Sequence, residues 1–586
     1  MVATVRHLGR DTDDVTHRYE IGEVVPVWAS TVGPYENRQE TYSYSTLPLC
    51  PSLFPLKRKP ETLGEALQGM ELMNLGMELA FRQDQRNSSL CPPYLVDQED
   101  ISLIRYAVAN DYWYEVFIDD LPAWSFIGTM NPNQSSGGER GERTIPYLYT
   151  HRELKMAYNE DRIIGFDLIP SSPVSLDVAS LKKTPIQLTY SVTWISTTGS
   201  FADRFDRYLD AEFFEHKVHW YSIVNAFLMA LALTTAVGIL LAKALRKDLA
   251  RYDREEDLGE LGRDMMEERG WKQVHGDVFR APKHRIYLAA LLGTGRQLLV
   301  TLLSLILFTI LGGLYEDRAS ILSSGIFLYT ALSPVGGYVS AGYYKREGGK
   351  NWVRNVLITA GLWPGACAAV ILPVNVLAMM QGSARAIPLT TMLVCALLWV
   401  GLILPLTLFG SSMARHRPAP ASPPTRTHPI ARQIPGTPWY LDHLPLFVTC
   451  GALPFAAGFL ELYYVLSSFW AYKVYYVYGF ALLIGAVELV MVGCVGVAAV
   501  YAVLGAEDWR WQWVALGSGA SAGGWAWVYT VWFFWHRTHI TGVFQAFWYF
   551  GYSALACTAL ALILGGMSHL AGTLFVWRIY RSVKID

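Results

Sequence analysis

The chain has 586 residues, of which 52% are hydrophobic, 13% aromatic and only 17% charged. So many apolar side chains cannot all be buried in one soluble core, and the composition therefore predicts a membrane protein. A net charge of -2 lacks the excess of Lys and Arg that is typical of nucleic-acid binders, so no DNA or RNA partner is expected.

The N-terminal part, residues 1–218, has the composition of a globular domain and is rich in strand signals. In IQLTYSVTW (186–194) apolar and polar residues alternate, which is typical of a half-buried strand. We predict an all-β, antiparallel β-sandwich-like domain with short helices near TLGEALQGMEL and DQEDISLIRYAVAN. The first twenty residues lack the apolar core of a signal peptide, so either a signal precedes this sequence or the first transmembrane helix directs insertion.

Two cysteines and two Asn-x-Ser sequons in this region point to an oxidising compartment. Cys50 and Cys91 could form a disulfide that closes a loop of about forty residues, whereas the other five cysteines fall in apolar runs. Asn87 and Asn133 are candidate glycosylation sites, although such triplets also occur by chance.

The part after residue 218 contains nine apolar segments of membrane-spanning length, about 20 residues or more each. They cover residues 219–243, 288–314, 320–344, 353–380, 387–412, 446–469, 476–503, 512–536 and 542–577. We therefore predict a nine-helix transmembrane domain over residues 219–586. Arg296 lies in the second segment, whose membrane-buried part is expected to start later, and the overlong last segment is expected to tilt or kink near GGMSH.

Loop charge predicts the orientation of these helices. The loops after the first, third, fifth and seventh segments and the C-terminal tail carry twenty-three Lys and Arg residues, when Lys243 and Arg354 at the ends of the adjoining segments are included, whereas the four alternate loops carry one each. The positive-inside rule then places loops 244–286 and 413–445 and the tail 578–586 in the cytosol, and the β-domain on the lumenal side.

Two carboxylates lie in the predicted membrane region, Glu461 and Glu488. Placing each there costs on the order of 3 kcal/mol, which makes a functional role the first hypothesis. On adjacent antiparallel helices the two would differ in depth by roughly 7 Å and could share a polar pocket. They would form a proton or cation pathway or a polar cleft for cargo. Alternatively, each is a protonated structural acid, bonded to Tyr463, Tyr464 or Ser467.

Gly519 and Gly523 in the eighth segment have small-xxx-small spacing, which lets helix backbones approach closely. This pair serves either internal packing or recognition of a Gly-rich helix of another protein. His216 and His219 could in principle hold a metal, but no third ligand is evident, and a position at the water interface beside Trp220 is the simpler interpretation. No phosphate-binding loop, zinc-protease motif, nucleophile elbow or metal-spaced Cys pair occurs, so neither enzymatic activity nor a cofactor is predicted.

Eight long motifs are spread over the chain. They are VPVWASTVGPYENRQETYSYSTLPLC (25–50), ETLGEALQG (61–69), YEVFIDDLPAWSFIG (114–128), GWKQVHGDVFR (270–280), NWVRN (351–355), RQIPGTPWY (432–440), LPFAAGFLELYYVLSSFW (453–470) and IYRSVKID (579–586). In content and order they resemble the motifs of the nonaspanins, the transmembrane nine superfamily, and the resemblance spans nearly the whole chain.

The resemblance implies a lumenal β-domain followed by nine helices, residence in Golgi and endosomal membranes, and a role in sorting other membrane proteins. It further implies that Lys584 and Asp586 form a retention signal read by the COPI coat. The helices, surrounded by membrane lipids, would bind cargo proteins with Gly-rich transmembrane helices. We therefore predict a non-enzymatic protein that sorts, escorts or retains membrane proteins; the alternative is a proton- or solute-coupled transporter that uses Glu461 and Glu488.

Overall fold

The structure, a computed structural model, describes residues 17–50, 57–130, 146–176, 185–209, 216–257, 270–312, 319–418, 423–471 and 474–581. The retention-signal residues Lys584 and Asp586 and the candidate glycosylation site Asn133 lie outside these ranges. A β-domain precedes a helical membrane domain, whose first helix begins at His216.

The β-domain contains two five-stranded sheets. Their strands are β1 (Val24–Pro34), β2 (Tyr42–Ser43), β3 (Met73–Ala80), β4 (Gln85–Ser89), β5 (Tyr112–Ile118), β6 (Leu121–Phe126), β7 (Gly128–Met130), β8 (Pro146–Asn159), β9 (Arg162–Ser175) and β10 (Thr189–Ser196). In the first sheet the order is β2-β1-β5-β6, with β3 also paired to β1. In the second it is β4-β10-β8-β7, with β9 also paired to β8.

One strand pair departs from the predicted antiparallel arrangement, because β10 runs parallel to β8. β8 and β9 form a long antiparallel hairpin, so the chain leaves β9 at the end where β8 began. The next strand joins the opposite edge of β8 and enters from that same end. β10 therefore has to run in the direction of β8, which a longer connection permits.

The two sheets pack face to face over one apolar core. Val27 and Tyr114 of the first sheet and Leu154 of the second are buried members of the same cluster. The alternation predicted for residues 186–194 is confirmed, since its apolar residues face this core: Ile186, Leu188, Tyr190 and Val192 are buried and Trp194 packs against them.

Two short helices, α1 (Leu63–Gln68) and α2 (Gln98–Ala109), form where the sequence predicts them. α1 begins with a capping box, in which the side chains of Thr62 and Glu65 each accept from the other's backbone N–H. It ends at Gly69, whose φ of 70° lies in the left-handed region that favours glycine.

The membrane domain is built from eleven helices within the described ranges. They are α3 (His216–Asp257), α4 (Arg285–Gly312), α5 (Ser320–Ala331), α6 (Ser333–Arg346), α7 (Trp352–Met380), α8 (Leu389–Leu398), α9 (Leu404–His416), α10 (His443–Ala471), α11 (Tyr478–Gly505), α12 (Trp511–Arg537) and α13 (Val543–Arg581). A π-helical turn, Trp399–Ile403, joins α8 to α9 without a break.

Seven helices in the part of the chain that the structure describes are long and apolar enough to cross a membrane, so the predicted nine spans are not confirmed. The third predicted span is divided at Leu332 into α5 and α6. The eighth, α12, has a lower mean hydropathy because it is rich in Gly, Ser and Trp. α3 extends beyond its predicted span to Asp257, and α13 continues through GGMSH to Arg581 as one helix.

The membrane helices form two sub-bundles. In the first, α4 to α9 pack mainly on one another; in the second, α3 packs with α10 and α11, which in turn pack with α12 and α13. Contacts of α13 with α4 and α7 hold the two sub-bundles together.

The β-domain rests on helix connections at one end of the bundle. The hydroxyl of Ser383 and the backbone N–H of Ala384 both donate to the carbonyl of Thr41, at 3.1 and 2.9 Å. Other connections meet at the opposite end, where the indole N–H of Trp511 donates to the carbonyl of Val278 at 2.8 Å. The compartment that each end faces stays a prediction from loop charge.

Candidate functional site

A cavity of about 2050 Å³ lies between the two sub-bundles, at the end that carries the β-domain. The first sheet forms its roof, where Tyr35, Trp113 and Trp124 are among the lining residues. Its side walls come mainly from α4, α5, α7 and α8 of the first sub-bundle and from α10 and α11 of the second. Most of the lining is apolar, and the cavity is partly open to the outside.

The wall formed by the first sub-bundle contains two linked irregularities. Pro364 has no N–H, so the carbonyl of Ala360 lacks its usual partner within α7. The indole N–H of Trp399, the first residue of the π-helical turn, donates to this carbonyl at 3.0 Å. π-Helical turns occur frequently at functional sites, and both Pro364 and Trp399 line the cavity. This wall is therefore a candidate binding surface.

The opposite wall carries a hydrogen-bonded acid, Glu461 on α10. One carboxylate oxygen lies 3.2 Å from Nδ1 of His219, and the hydroxyl of Tyr475 donates to the other oxygen. The imidazole is buried, with ring centroids of Tyr464 and Phe480 at 4.4 and 4.9 Å. These contacts join α3, α10 and the segment that leads into α11.

Glu488 on α11 lines the same cavity but differs from Glu461, because no group in the described ranges hydrogen-bonds to its carboxylate. The carboxylate lies beside Gly458, one turn before Glu461 on α10, since a Cβ added at Gly458 would overlap it. The two acids therefore face one cavity and differ in depth by about one helical turn, or roughly 5 Å.

Three hydroxyls of the cavity lining also have no hydrogen-bond partner among the described residues, those of Thr41 and Tyr208 near the roof and of Thr301 on α4. Burial raises the pKa of Tyr208 to about 12, so this hydroxyl stays protonated at neutral pH. Arg38 and Arg385 line the cavity near the roof, each over an aromatic ring at 4.4 and 4.5 Å from the centroid. Apolar walls with a few polar groups are typical of ligand sites.

His219 and Tyr475 are the residues of this site that sequence reasoning missed. The sequence placed His219 at the water interface beside Trp220, but the structure buries its side chain against Glu461. The signal that could have found it is its place in the first turn of a membrane helix, where a buried imidazole needs an acidic or hydroxyl partner. Within the described ranges no three His, Cys, Asp or Glu side chains come together as a metal site.

Gly519 and Gly523 lie inside the second sub-bundle, not in the cavity lining. A Cβ at Gly519 would meet Leu564 and Ser568 of α13, and one at Gly523 would meet Ala561. The structure therefore places both glycines in the α12–α13 interface, where they let the two backbones approach.

Arg296 is accommodated inside α4 by a contact between helices. Its guanidinium donates to the carbonyl of Gly566 on α13 at 3.2 Å. α4 therefore runs through Arg296 without a break, and an interhelical hydrogen bond stabilises this side chain.

The remaining predicted site residues lie in the β-domain. Cys50 and Cys91 form a disulfide, with Cα atoms 5.8 Å apart. Asn87 lies in β4 with its side chain exposed, so a glycan at this position would meet no steric obstacle from the described residues.

Comparison with known proteins identifies relatives along nearly the full length. The family model of endomembrane protein 70 matches residues 41–543. "Transmembrane 9 superfamily member 4" of Arabidopsis thaliana is 33% identical over 98% of this chain and 96% of its own length. "Transmembrane 9 superfamily member 1" of Bos taurus is 33% identical over 98% and 95%. "Putative phagocytic receptor 1b" of Dictyostelium discoideum is 33% identical over 97% and 96%. No solved structure was found to match the chain.

Proposed function

Because this chain belongs to the endomembrane protein 70 family, the transmembrane 9 superfamily, we propose that it sorts, escorts or retains other membrane proteins in Golgi and endosomal membranes. In this role it binds its cargo without catalysing a reaction. The observation that carries the proposal is the cavity between the two sub-bundles, which has mainly apolar walls and a roof formed by the β-domain.

The rims of the cavity support entry of cargo from within the membrane. Leu357 and Leu372 on α7 are 52% and 50% exposed, and Val465 and Phe469 on α10 are 42% and 56% exposed. All four line the cavity. Apolar side chains exposed in membrane-spanning helices face lipid, so a transmembrane segment can move sideways from the bilayer into this space. The roof would then contact the extramembrane part of the same cargo.

The route of the protein through the cell would depend on Lys584 and Asp586. α13 ends at Arg581, at the end of the bundle opposite the β-domain. We propose that the retention-signal residues beyond it recruit the COPI coat there. Adding a few residues after Asp586 keeps every charged side chain but moves the terminal carboxylate away from Lys584 and Asp586. We expect the extended protein to leave the Golgi, as seen by microscopy; unchanged localisation would contradict the proposed signal.

A cavity-filling variant tests cargo binding. Gly485 lines the cavity one turn before Glu488, and a Cβ there has no neighbour within 4 Å, so Gly485→Leu projects into open space. Gly524 also has no neighbour within 4 Å but lies on the exposed side of α12, and Gly524→Leu is the matched control. In cells that lack the endogenous protein, we expect Gly485→Leu to fail in restoring surface levels of membrane proteins and Gly524→Leu to restore them. Equal rescue by both variants would refute a role of the cavity in sorting.

A proton- or solute-coupled transporter is the second candidate, and one observation favours it: Glu461 and Glu488 line the same cavity. A transporter predicts a measurable ion or solute flux in proteoliposomes that Glu461→Gln abolishes. The sorting proposal predicts altered cargo levels without any flux. The two candidates therefore give opposite results in the same pair of assays.

A further inference from the structure

We propose that Glu488 selects cargo, by pairing with a Lys or Arg side chain near the middle of a transmembrane helix that enters the cavity. This inference rests on the proposed sorting function and names the chemical class of its substrate. It differs from recognition of Gly-rich helices, since the determinant is a charge and not a close backbone contact.

The first step of the argument is the contrast between the two acids. Glu461 bonds to His219 and Tyr475 of its own chain, so it has no need of a ligand. The carboxylate of Glu488 has no hydrogen-bond or ion-pair partner in the described ranges, although it lies among apolar helices. An acid at such a position is costly and defaults to a functional role. The partner of Glu488 is therefore expected to be supplied by the occupant.

The depth of Glu488 locates that partner along the occupant. Glu488 is the eleventh residue of α11, which starts at Tyr478 beneath the β-domain. Ten residues of helix span about 15 Å, half of a hydrocarbon core about 30 Å thick. A basic side chain that meets Glu488 must therefore lie near the middle of its own transmembrane segment. There it has few other ways to be neutralised, which makes the pairing selective.

The size of the cavity fits a helix. An α-helix with its side chains is about 10 to 12 Å across, so about 2050 Å³ corresponds to roughly 18 to 26 Å of helix length. This length covers more than half of the hydrocarbon core. The volume also exceeds the upper value of about 1,000 Å³ that is common for small-molecule sites.

The surroundings of Glu488 favour a cation over an anion or a neutral group. Trp363 and Trp399 of the first sub-bundle line the cavity with it, and aromatic faces attract ammonium and guanidinium groups. The unpartnered hydroxyl of Thr301 lies at a similar depth, eleven residues before the end of α4, and is a second hydrogen-bond acceptor in the cavity lining. Arg38 lies in the roof and Arg385 in the connection that contacts it, whereas Glu488 lies ten residues, or about 15 Å, into α11.

The test measures capture of defined segments by the purified full chain in phosphatidylcholine vesicles. The probes are three synthetic helices of about 20 Leu and Ala residues, with a photoreactive group and a central Lys, Leu or Glu. We expect the wild type to crosslink the Lys helix about tenfold more than the Leu helix and the Glu helix least. Glu488→Gln should reduce crosslinking of the Lys helix to that of the Leu helix, whereas Glu488→Asp should keep the preference for Lys.

Glu461→Gln is the matched control, since it makes the same chemical change in the same cavity and should leave the Lys preference intact. Unchanged capture of the Leu helix shows that each variant is folded. The proposal is wrong if the wild type shows no preference for Lys, or if the preference survives in Glu488→Gln. It is also wrong if photoreactive phosphatidylethanolamine labels the wild type in a Glu488-dependent manner while no helix does, because the occupant is then an amine lipid.

The outcomes separate this inference from the function on which it rests. Capture of the Leu and Lys helices to the same extent would refute charge selection and leave the sorting role standing. Failure to capture any helix, together with rescue by the cavity-filling variant Gly485→Leu, would refute the cargo-binding role itself.

Discussion

His219 and Glu461 are 242 residues apart in the chain, yet Nδ1 of the imidazole lies 3.2 Å from a carboxylate oxygen in the interior of the membrane domain. The pair joins the first membrane helix to α10 and so holds one wall of the cavity in place. It also occupies Glu461 with partners from its own chain, which leaves Glu488 as the acid of the cavity that has none in the described ranges.

His219→Leu should destabilise the protein, because it leaves the buried Glu461 with one partner fewer. Leaving a buried polar group without one of its hydrogen-bond partners costs about 1 to 3 kcal/mol. We expect a lower midpoint of thermal unfolding for the detergent-purified chain. Tyr221→Ala is the control, because that side chain is 77% exposed and its loss should have little effect.

The same pair should behave as a unit in a double-mutant cycle. If His219→Leu and Glu461→Gln act through the same hydrogen bond, the double variant should be more stable than the sum of the two single effects predicts. Strict additivity of the two changes in unfolding midpoint would contradict the contact.

Glu347, which follows α6, should make stability depend on pH. Its side chain is 11% exposed, and burial raises its pKa from 4.5 to about 7 against the opposing effect of Arg346 and Arg285. The folded state then binds more protons than the unfolded state between pH 4.5 and about 7, so stability falls as pH rises through this window. Across the whole window the free energy of unfolding falls by about 3 kcal/mol.

A comparison of variants isolates this contribution. Unfolding midpoints at pH 5 and pH 7.5 should differ less in Glu347→Gln than in the wild type, with the variant gaining relative stability at the higher pH. Glu160→Gln, at an exposed turn of the β-domain, should keep the wild-type slope. An unchanged slope in Glu347→Gln would show that this carboxyl does not titrate in the window.

The disulfide between Cys50 and Cys91 should stabilise the β-domain by restricting its unfolded chain. The two residues are 41 positions apart, and a loop of that length corresponds to about 3 to 4 kcal/mol. Reductant should lower the unfolding midpoint of the wild type and leave that of the double variant Cys50→Ser, Cys91→Ser unchanged. If complete reduction, verified by thiol titration, leaves the unfolding midpoint of the wild type unchanged, the disulfide does not contribute to stability.

Gly523→Leu should disturb the α12–α13 interface. A Cβ at this position would lie 2.7 Å from both the Cβ of Ala561 and the carbonyl oxygen of Cys557, and overpacking of this kind typically costs about 1 to 3 kcal/mol. The neighbouring Gly524→Leu has free space and should be tolerated. Thermal unfolding midpoints and the yield of folded protein compare the two variants with the wild type. A tolerated Gly523→Leu would mean that the two helices do not pack as described.

Local patterns in the sequence were sufficient for the elements whose cause is local. The segment TLGEALQGMEL predicts α1, which the structure caps with Thr62 and Glu65, and the alternation in residues 186–194 predicts β10 and its buried face, because both features act over a few residues. The direction of β10 was not predictable in this way. It depends on which edge of β8 the chain reaches, a choice that no local pattern records.

The sequence by itself determined that this chain is a membrane protein with a separate β-domain, that its family is the transmembrane 9 superfamily, and that Glu461 and Glu488 are buried acids requiring an explanation. Only the tertiary structure decided that the two acids share a cavity, that His219 and Tyr475 satisfy one of them, and that Gly519 and Gly523 serve packing. The physical reason is that hydropathy depends on each residue's own chemistry. The partner of a buried polar group, in contrast, depends on how helices far apart in the chain pack against each other.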